Sequence, residues 1–340
     1  MAKLKTFEKF IFFINSVLAF LLLLSYILPH IPPKKFAFIS VLSLAVPFLI
    51  IVNLLFLIYW LLKVKKQVLL SFVVLVIGYN YLFSLYKFSS SKTINDKENI
   101  SVMNYNVRLF NLFEWIEDKD TRYRVSEFIE KTSPDIVCIQ EYRKEESLAM
   151  KGYYRYEELR GNKIKNGQAI FTKFPIINSG SLRFENTSNN IIFVDVVKNR
   201  DTLRIYNLHL QSAGIDYRAE KLAEQKSENL LNRMSRTFKM QQLQTEKFLE
   251  HKNKSTYPVI ISGDFNNTAY SYIYNEFINN ELQDTFVEAG NGFGRTFDFK
   301  FFPVRIDFIM VDRTFNVNGF KTYDVQYSDH YPVVAKVRLK

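Results

Sequence analysis

Six segments of the sequence end or begin an apolar run with a side chain that can do chemistry. These side chains are carboxylates, amides and imidazoles, which bind hard metal ions, transfer protons and stabilise charged oxygens. They are Asn106 ending SVMNYN, Glu141 ending DIVCIQE, His209 ending LRIYNLH, Asp264 and Asn266 in VIISGDFN, Asp307 opening DFIMV, and Asp329 and His330 before PVVAKV. Because functional groups on α/β scaffolds gather beyond strand ends, these side chains can converge in one cleft.

Each of these residues taken alone also fits a purely structural role. Short polar residues beside a strand commonly make turns, and a carboxylate at a strand end can simply be solvated. The structural alternatives are a turn for Asn106, Asp264 and Asp329, a solvated charge for Glu141, and a cross-strand salt pair with Arg305 for Asp307. The order of the whole set along the chain therefore decides the interpretation.

Short apolar, β-branched runs recur through the last 240 or so residues and predict the strands that must position this set. The runs lie at 100–105, 135–139, 167–171, 190–197, 202–208, 258–262, 305–311 and 332–338. Amphipathic stretches at 121–131, 218–234 and 238–251 predict helices between some of them. The mixture predicts an α/β domain of mixed sheets covered by helices.

The ordered set of polar segments resembles the endonuclease/exonuclease/phosphatase superfamily. Its members are magnesium-dependent phosphoesterases related to pancreatic-type deoxyribonuclease, AP endonucleases, neutral sphingomyelinases and inositol-polyphosphate phosphatases. The motifs that carry the resemblance are Asn, Gln-Glu, Asn-x-His, Gly-Asp-x-Asn, Arg-x-Asp and Ser-Asp-His, with NGQAIFTKFPI at 166–176 and GRTFDF before RIDFIMV. The resemblance covers 100–338 and implies an α+β four-layer sandwich, with two mixed β-sheets packed face to face between helical layers.

The resemblance also implies a metal site and a set of catalytic roles. Glu141 would be the principal ligand of Mg²⁺ or Mn²⁺, with Asn106 and Asp329 completing the shell directly or through water. For the catalytic groups, His330 would act as general base or phosphate-polarising imidazole oriented by Asp307, Asp264 and Asn266 would position water and phosphate, and His209 would stabilise charge on the phosphoryl oxygens. Either Asp264 or His330 could take the proton.

Three functions are compatible with this set. The first is a phosphodiesterase or nuclease-like phosphoester hydrolase, and the second is a phospholipid head-group hydrolase, similar to sphingomyelinases, or a phosphatase. His209 resembles the deoxyribonuclease and sphingomyelinase branches, whereas AP endonucleases place a tyrosine there. The segment RIDFIMV lacks the Trp-Cys-Asp-Arg run of inositol-polyphosphate 5-phosphatases. The third function, from another class, is a catalytically silent binding or scaffold protein on the same fold.

The first quarter of the chain has a different composition. Residues 1–94 carry 10 basic and 1 acidic side chains, a net charge of +9 out of +11 for the whole chain, and the basic residues flank long apolar runs. This pattern indicates a membrane segment rather than a basic surface that binds nucleic acid. We expect a membrane anchor at 1–88 with three transmembrane helices at about 10–30, 37–62 and 67–86, a linker at 89–99, and the catalytic domain at 100–340. A signal peptide is disfavoured because no small-residue cleavage site follows the first run.

Lysine counts near the span ends predict the orientation. Three lysines precede the first run, two lie in the first loop and three in the second, which places the N-terminus in the cytoplasm and the catalytic domain outside it. The expected partners are the bilayer and a phosphoester substrate, either nucleic acid or phospholipid, and no protein partner is predicted. With Cys138 alone, an intramolecular disulfide and a multi-thiolate zinc site are excluded.

One basic cluster stands apart from these assignments. Its members are Arg233, Arg236, Lys239, Lys247, Lys252 and Lys254. Because Glu246 and Glu250 are interleaved, a solvated helix face is the favoured interpretation, and a phosphate-backbone contact is the alternative.

Overall fold

The computed structural model describes residues 4–88, 94–144, 148, 150–161, 164–214, 227–299 and 303–340. Part of the expected linker at 89–99 and the first half of the expected helix at 218–234 lie outside these residues. The second half of that helix continues without a break into the one expected at 238–251. Together they form a single helix, Ser227–Asn253.

The N-terminal region folds into helices α1 to α5. They are Thr6–Ser25, Pro33–Val41, Val46–Leu62, Val68–Ile77 and Tyr79–Leu85. Two segments, Thr6–His30 and Pro33–Leu62, are long and apolar enough to cross a membrane. At the third expected span the structure has a pair of helices, α4 and α5, bent by 80°, which makes a third crossing only if the pair forms one broken span. The bend is at Gly78, where a Cβ atom would collide with the ring of Tyr26.

Buried polar side chains join three of these helices. Asn15 of α1 donates through Nδ2 to Ser71 Oγ of α4 at 2.8 Å and accepts from Trp60 Nε1 of α3 at 2.9 Å. Asn53 of α3 is also fully buried. Such hydrogen bonds hold apolar helices together where the hydrophobic effect between them is weak.

Twelve strands form the C-terminal region among the described residues. In chain order, β1 to β12 are Ile100–Asn106, Ile136–Arg143, Tyr154–Arg160, Asn166–Thr172, Ile176–Ser181, Asn190–Lys198, Asp201–His209, Val259–Asp264, Leu282–Asp284, Asp307–Asp312, Phe315–Thr322 and Val333–Leu339. Four helices accompany them: α6 Thr121–Thr132, α7 Ser227–Asn253, α8 Tyr272–Asn279 and α9 Thr285–Ala289.

The strands make two six-stranded mixed sheets, in the orders β11-β12-β1-β2-β4-β3 and β5-β6-β7-β8-β10-β9. The two sheets pack face to face over a continuous apolar core that includes Val102, Cys138, Ile205 and Ile309. Helix α6 covers the outer face of the first sheet, and α7 and α8 cover the second. This arrangement confirms the expected four-layer sandwich.

Burial on both faces explains why the central strands are continuous apolar runs. Every residue of β8 is buried, because the first sheet lies on one side of it and the helical layer on the other. These strands could therefore be predicted from continuous apolar runs, although they lack the alternation of apolar and polar residues that marks a half-exposed strand.

The N-terminal helices pack directly on the C-terminal region. Tyr270 belongs to the same buried cluster as residues of these helices, and its hydroxyl donates to the backbone oxygen of Tyr81 at 3.2 Å. Helix α2 packs along α7, where the backbone N–H of Lys34 donates to Gln242 Oε1 at 2.8 Å and the Lys34 ammonium pairs with Glu246. The two regions are thus in contact as well as covalently linked.

Candidate active site

Strand direction brings the predicted polar residues to one edge of the sandwich. Strands β1 and β2 are parallel in the first sheet, and β7 and β8 are parallel in the second, so each pair ends at the same edge. His209 is paired in register with Asp264. Strand β10 runs antiparallel to β8 and begins at this edge, with Asp307 in register with Asp264.

The tightest group at this edge consists of Asp264, Asp307 and His330. His330 Nδ1 lies 2.9 Å from Asp307 Oδ2, and His330 Nε2 lies 3.8 Å from Asp264 Oδ2. All three side chains are buried, and one potential ligand atom from each lies within 4.8 Å of the others. These residues could hold a metal ion together.

The Asp264 carboxyl group and the His330 imidazole both have shifted pKa values. Burial by itself lowers the pKa of His330, but the charges of Asp307 and Asp264 outweigh it and raise the pKa to about 10. Burial raises the pKa of Asp264 to about 6, although His330 opposes this shift. A proton at this edge is therefore shared between groups in close contact.

Asn106 and Glu141 lie on the side of Asp264 that faces the first sheet. Asn106 Nδ2 donates to Asp264 Oδ2 at 3.0 Å and lies 3.4 Å from Glu141 Oε1. Glu141 is half-buried, and burial raises the pKa of its carboxyl group. Its backbone has a φ of +49°, which turns the chain at the end of the apolar run.

His209 reaches the same carboxylates. Its Nε2 lies 3.8 Å from Asp264 Oδ2 and 3.9 Å from Glu141 Oε1. This buried nitrogen has no hydrogen-bond partner among the described residues, and burial lowers the pKa of the ring. An unsatisfied buried nitrogen aimed at two carboxylates fits a site that receives a further group.

Asn266 shapes the loop that follows β8. Its backbone N–H donates to Asp264 Oδ1 at 2.8 Å, and its Nδ2 donates to the backbone oxygen of Leu210 at 3.1 Å. Gln241 of α7 donates to the backbone oxygen of Asn266 at 3.1 Å. The loop is thus held from the end of β7 and from the helical layer.

Asp329 lies at the border of the site and has a different partner. Its Oδ2 is 2.5 Å from a guanidinium nitrogen of Arg108, and that guanidinium stacks 4.1 Å from the ring centre of Trp115. The neighbouring Ser328 donates to the backbone oxygen of Asn106 at 2.8 Å. Sequence reasoning missed Arg108, although its position two residues after Asn106 was an available signal.

A buried polar network beneath the site was also missed in part. Asn104 Nδ2 donates to Asp307 Oδ1 at 3.1 Å, and Asn104 Oδ1 accepts from Ser262 Oγ and from Gln140 Nε2, both at 2.9 Å. Gln140 Nε2 also donates to Asn207 Oδ1 at 2.7 Å. The feature of the sequence that could have revealed this network is the presence of amide side chains within strands that are otherwise apolar.

The salt pair considered for Asp307 is absent. Arg305 pairs instead with Asp284 at 2.6 Å, and both side chains are buried. Its guanidinium lies between the rings of Phe286 and Phe308, at 4.5 and 4.6 Å from their centres. Because Arg305 is paired with Asp284, the carboxylate of Asp307 has His330 and Asn104 as its side-chain partners.

The donor set fits a hard divalent cation. Carboxylate and amide oxygens dominate, and the one cysteine is buried in the core between the sheets, so no thiolate is available. Among the described residues, Asp264, Asp307 and His330 form a group that could hold a metal ion, and Glu141 lies beside this group next to Asn106. Asp329, the third expected ligand, is paired with Arg108.

The two face-to-face mixed sheets, with carboxylates and histidines at one edge, coincide with the part of the chain that matches a family model. Residues 103–330 match the model of the Endonuclease/Exonuclease/phosphatase family, and the chain belongs to this family. Residues 8–85 match a separate model described only as a domain of unknown function. Comparison with curated proteins gives no match.

Solved structures share the fold at low sequence identity. The human Nocturnin catalytic domain with bound sulfate is 17% identical, with a TM-score of 0.56, over 73% of this chain and 97% of that one. The endonuclease/exonuclease/phosphatase from Bacteroides vulgatus is 21% identical, with a TM-score of 0.54, over 72% and 100%. D. rerio TDP2 in complex with a single-strand DNA product is 16% identical, with a TM-score of 0.52, over 72% and 100%.

Proposed function

We propose that the protein is a membrane-anchored phosphoester hydrolase that depends on Mg²⁺ or Mn²⁺ and acts as a nuclease-like phosphodiesterase. The anchor is 1–88, the linker 89–99 and the catalytic domain 100–340. The observation that carries the proposal is the group of Asp264, Asp307 and His330, with Glu141 connected to it through Asn106, at one edge of the family's fold.

Glu141 is proposed as the principal metal ligand, with Asn106 and Asp329 completing the shell directly or through water. The metal, when bound, neutralises charge on the phosphoryl oxygens. Asn106 Nδ2 lies 3.4 Å from Glu141 Oε1, so the two side chains are adjacent, and a rotated Asn106 amide would present its oxygen to the same ion. Because Asp329 is held by Arg108, a contribution from Asp329 through water is favoured over direct contact.

Asp307 orients His330 by accepting from Nδ1, which turns Nε2 towards Asp264. Asp264 and Asn266 position the attacking water and the phosphate, and the proton of that water passes to Asp264, or to His330 in the state where its ring is neutral. His209, whose Nε2 has no hydrogen-bond partner among the described residues, stabilises charge on the phosphoryl oxygens.

Nucleic acid is one candidate substrate class, supported by the DNA product bound to TDP2, which has the same fold. A phospholipid head group is the second, with hydrolysis of a diester or a monoester. The contact between Tyr270 and Tyr81 supports it, because a domain packed on its anchor is held beside the bilayer.

The test is hydrolysis by the full-length protein in detergent micelles, with Mg²⁺, Mn²⁺ or chelator. The panel contains DNA, RNA, sphingomyelin, glycerophospholipids, phosphoinositides and a generic phosphodiester. We expect metal-dependent turnover of one class, lost in Glu141→Gln and His330→Asn and retained in Glu130→Gln, an exposed carboxylate on α6. Metal binding without turnover of any substrate would favour the binding-protein alternative.

We also propose that the catalytic domain lies outside the cytoplasm. The lysine asymmetry supports this, as do the contacts that put the first loop and the end of α5 on the side of the catalytic domain, at Lys34 and Lys87. Lys131→Cys on α6, treated with a membrane-impermeant maleimide on intact cells, is expected to react. Labelling of this variant only after lysis would place the catalytic domain in the cytoplasm and contradict the proposed orientation.

A further inference from the structure

A groove of about 810 Å³ lies between α2 of the anchor and the first half of α7. Its α7 side is a helical stripe that includes Arg233, Arg236 and Lys239, and its α2 side begins at Lys35. None of the residues predicted for catalysis or metal binding lines it, so it is separate from the active site.

The groove is cationic and offers unused hydrogen-bonding capacity. The described residues that line it include four basic side chains and no acidic one. Among the described residues, Lys35, Arg236 and Lys239 form no ion pair. Ser235 lines the groove as well, and its buried hydroxyl has no hydrogen-bond partner among the described residues. Arg233 is held in place by its bonds to the backbone oxygens of Ala213 and Gly214.

The opposite wall is apolar and continues into the anchor. Phe36 and Phe38 of α2 are 54% and 60% exposed, and Ile39 is 41% exposed. Residues 42–62, at 1.5 Å per residue, extend about 31 Å, which matches a hydrocarbon core of about 30 Å. Helix α2, immediately before them, then lies at the head-group level of the bilayer.

We propose that this groove binds the head group of an anionic phospholipid from the surrounding bilayer. The phosphate lies between Lys35, Arg236 and Lys239, where it also meets the free hydroxyl of Ser235, and the acyl chains run along Phe36 and Phe38. Aromatic side chains at the head-group level and cations beside them are the pattern of interfacial lipid sites. The apolar wall distinguishes this occupant from a nucleic acid, which would leave Phe36 and Phe38 exposed to water.

The test is native mass spectrometry of the full-length protein in micelles, with phosphatidylglycerol or phosphatidylcholine added. We expect phosphatidylglycerol to be retained about tenfold more than phosphatidylcholine. The double variant R236Q/K239Q should lose most of this preference. The matched control K131Q/K151Q removes the same charge from exposed positions on the far side of the sandwich, and it should keep the preference for phosphatidylglycerol.

Soluble glycerol phosphate separates a lipid from a free phosphate as the occupant. Binding of glycerol phosphate as tight as that of the lipid would contradict the proposal, because the apolar wall would then contribute nothing. Equal retention of the two lipids by the unmodified protein would also overturn it. The lipid comparison on the unmodified protein decides the question even if R236Q/K239Q fails to fold.

Discussion

The imidazole of His330 and the carboxylate of Asp307 are hydrogen-bonded at 2.9 Å, between Nδ1 and Oδ2, and both are buried at the edge where the two sheets meet. The other oxygen of Asp307 accepts from Asn104, which is itself held by Ser262 and Gln140. The orientation of the ring is therefore set from within the core between the sheets, far more rigidly than a loop residue would allow.

Replacing Asp307 by Asn should leave the fold intact and lower kcat by about 10²- to 10⁴-fold, because the amide no longer holds the ring in one tautomer. Steady-state kinetics on the substrate identified by the panel measures this. The double variant D307N/H330N should be no slower than H330N, because Asp307 acts only through His330 and its loss costs nothing further once His330 is gone. Additive losses would mean that Asp307 acts independently of His330.

Mg²⁺ should raise the melting temperature of the unmodified protein by about 5–10 °C at a concentration near 100 Kd, because ligand binding to the native state adds about 2.7 kcal/mol. With Glu141 as the principal ligand, Glu141→Gln should abolish most of the shift and Asp307→Asn should retain it. Differential scanning fluorimetry with and without chelator measures both. The reverse pattern would assign the metal to the Asp264, Asp307 and His330 group.

Breaking the buried pair between Arg305 and Asp284 should be strongly destabilising. Asp284→Asn leaves the Arg305 charge buried without its counter-charge, which costs about 3–5 kcal/mol. The matched control is Asp324→Asn, which breaks an exposed pair with Arg295 and should change the free energy of unfolding by less than about 1 kcal/mol. Chemical denaturation measures the free energy of unfolding of both variants. Equal losses would contradict the prediction that the buried pair is the more important one.

Cys138 should be inert to thiol reagents in the native protein. It is fully buried in the core between the sheets, and burial raises the pKa of its thiol to about 12, so thiolate is scarce even at pH 9. Ellman's reagent should therefore react only after denaturation, whereas an added Lys131→Cys thiol should react at once. Rapid reaction of Cys138 in the folded protein would mean that the sandwich opens readily.

Tyr270→Ala should weaken the docking of the catalytic domain on its anchor. The ring is 3% exposed, stacks with Tyr81 and donates to its backbone oxygen, so truncation removes about 3–5 kcal/mol. Tyr123→Ala on α6 removes an exposed ring and should cost little. Limited proteolysis between 86 and 99 should become faster only in Tyr270→Ala, and unchanged cleavage would argue against a docked arrangement.

The apolar runs predicted β1, β2, β4, β6, β7, β8, β10 and β12, because buried strands have a local pattern, whereas β3, β5, β9 and β11 were not predicted. Central strands covered on both faces must be apolar throughout, which made 135–139 and 258–262 visible as runs. Parallel pairing brings Asn106 and Glu141 to the edge of the first sheet, and His209 and Asp264 to the edge of the second. Packing of the two sheets then brings these edges together.

Partners that are distant in sequence were decided only by the tertiary structure. Arg305 could face Asp307 or Asp284, and it faces Asp284 where its guanidinium packs against Phe286 and Phe308. Asp329 likewise met Arg108 through a 221-residue separation in the chain that no local pattern reports. The bend at Gly78 and the packing of α2 along α7 have the same origin, because each depends on which surface another segment brings alongside. Local propensity determines which residues are buried, and long-range packing determines what they touch.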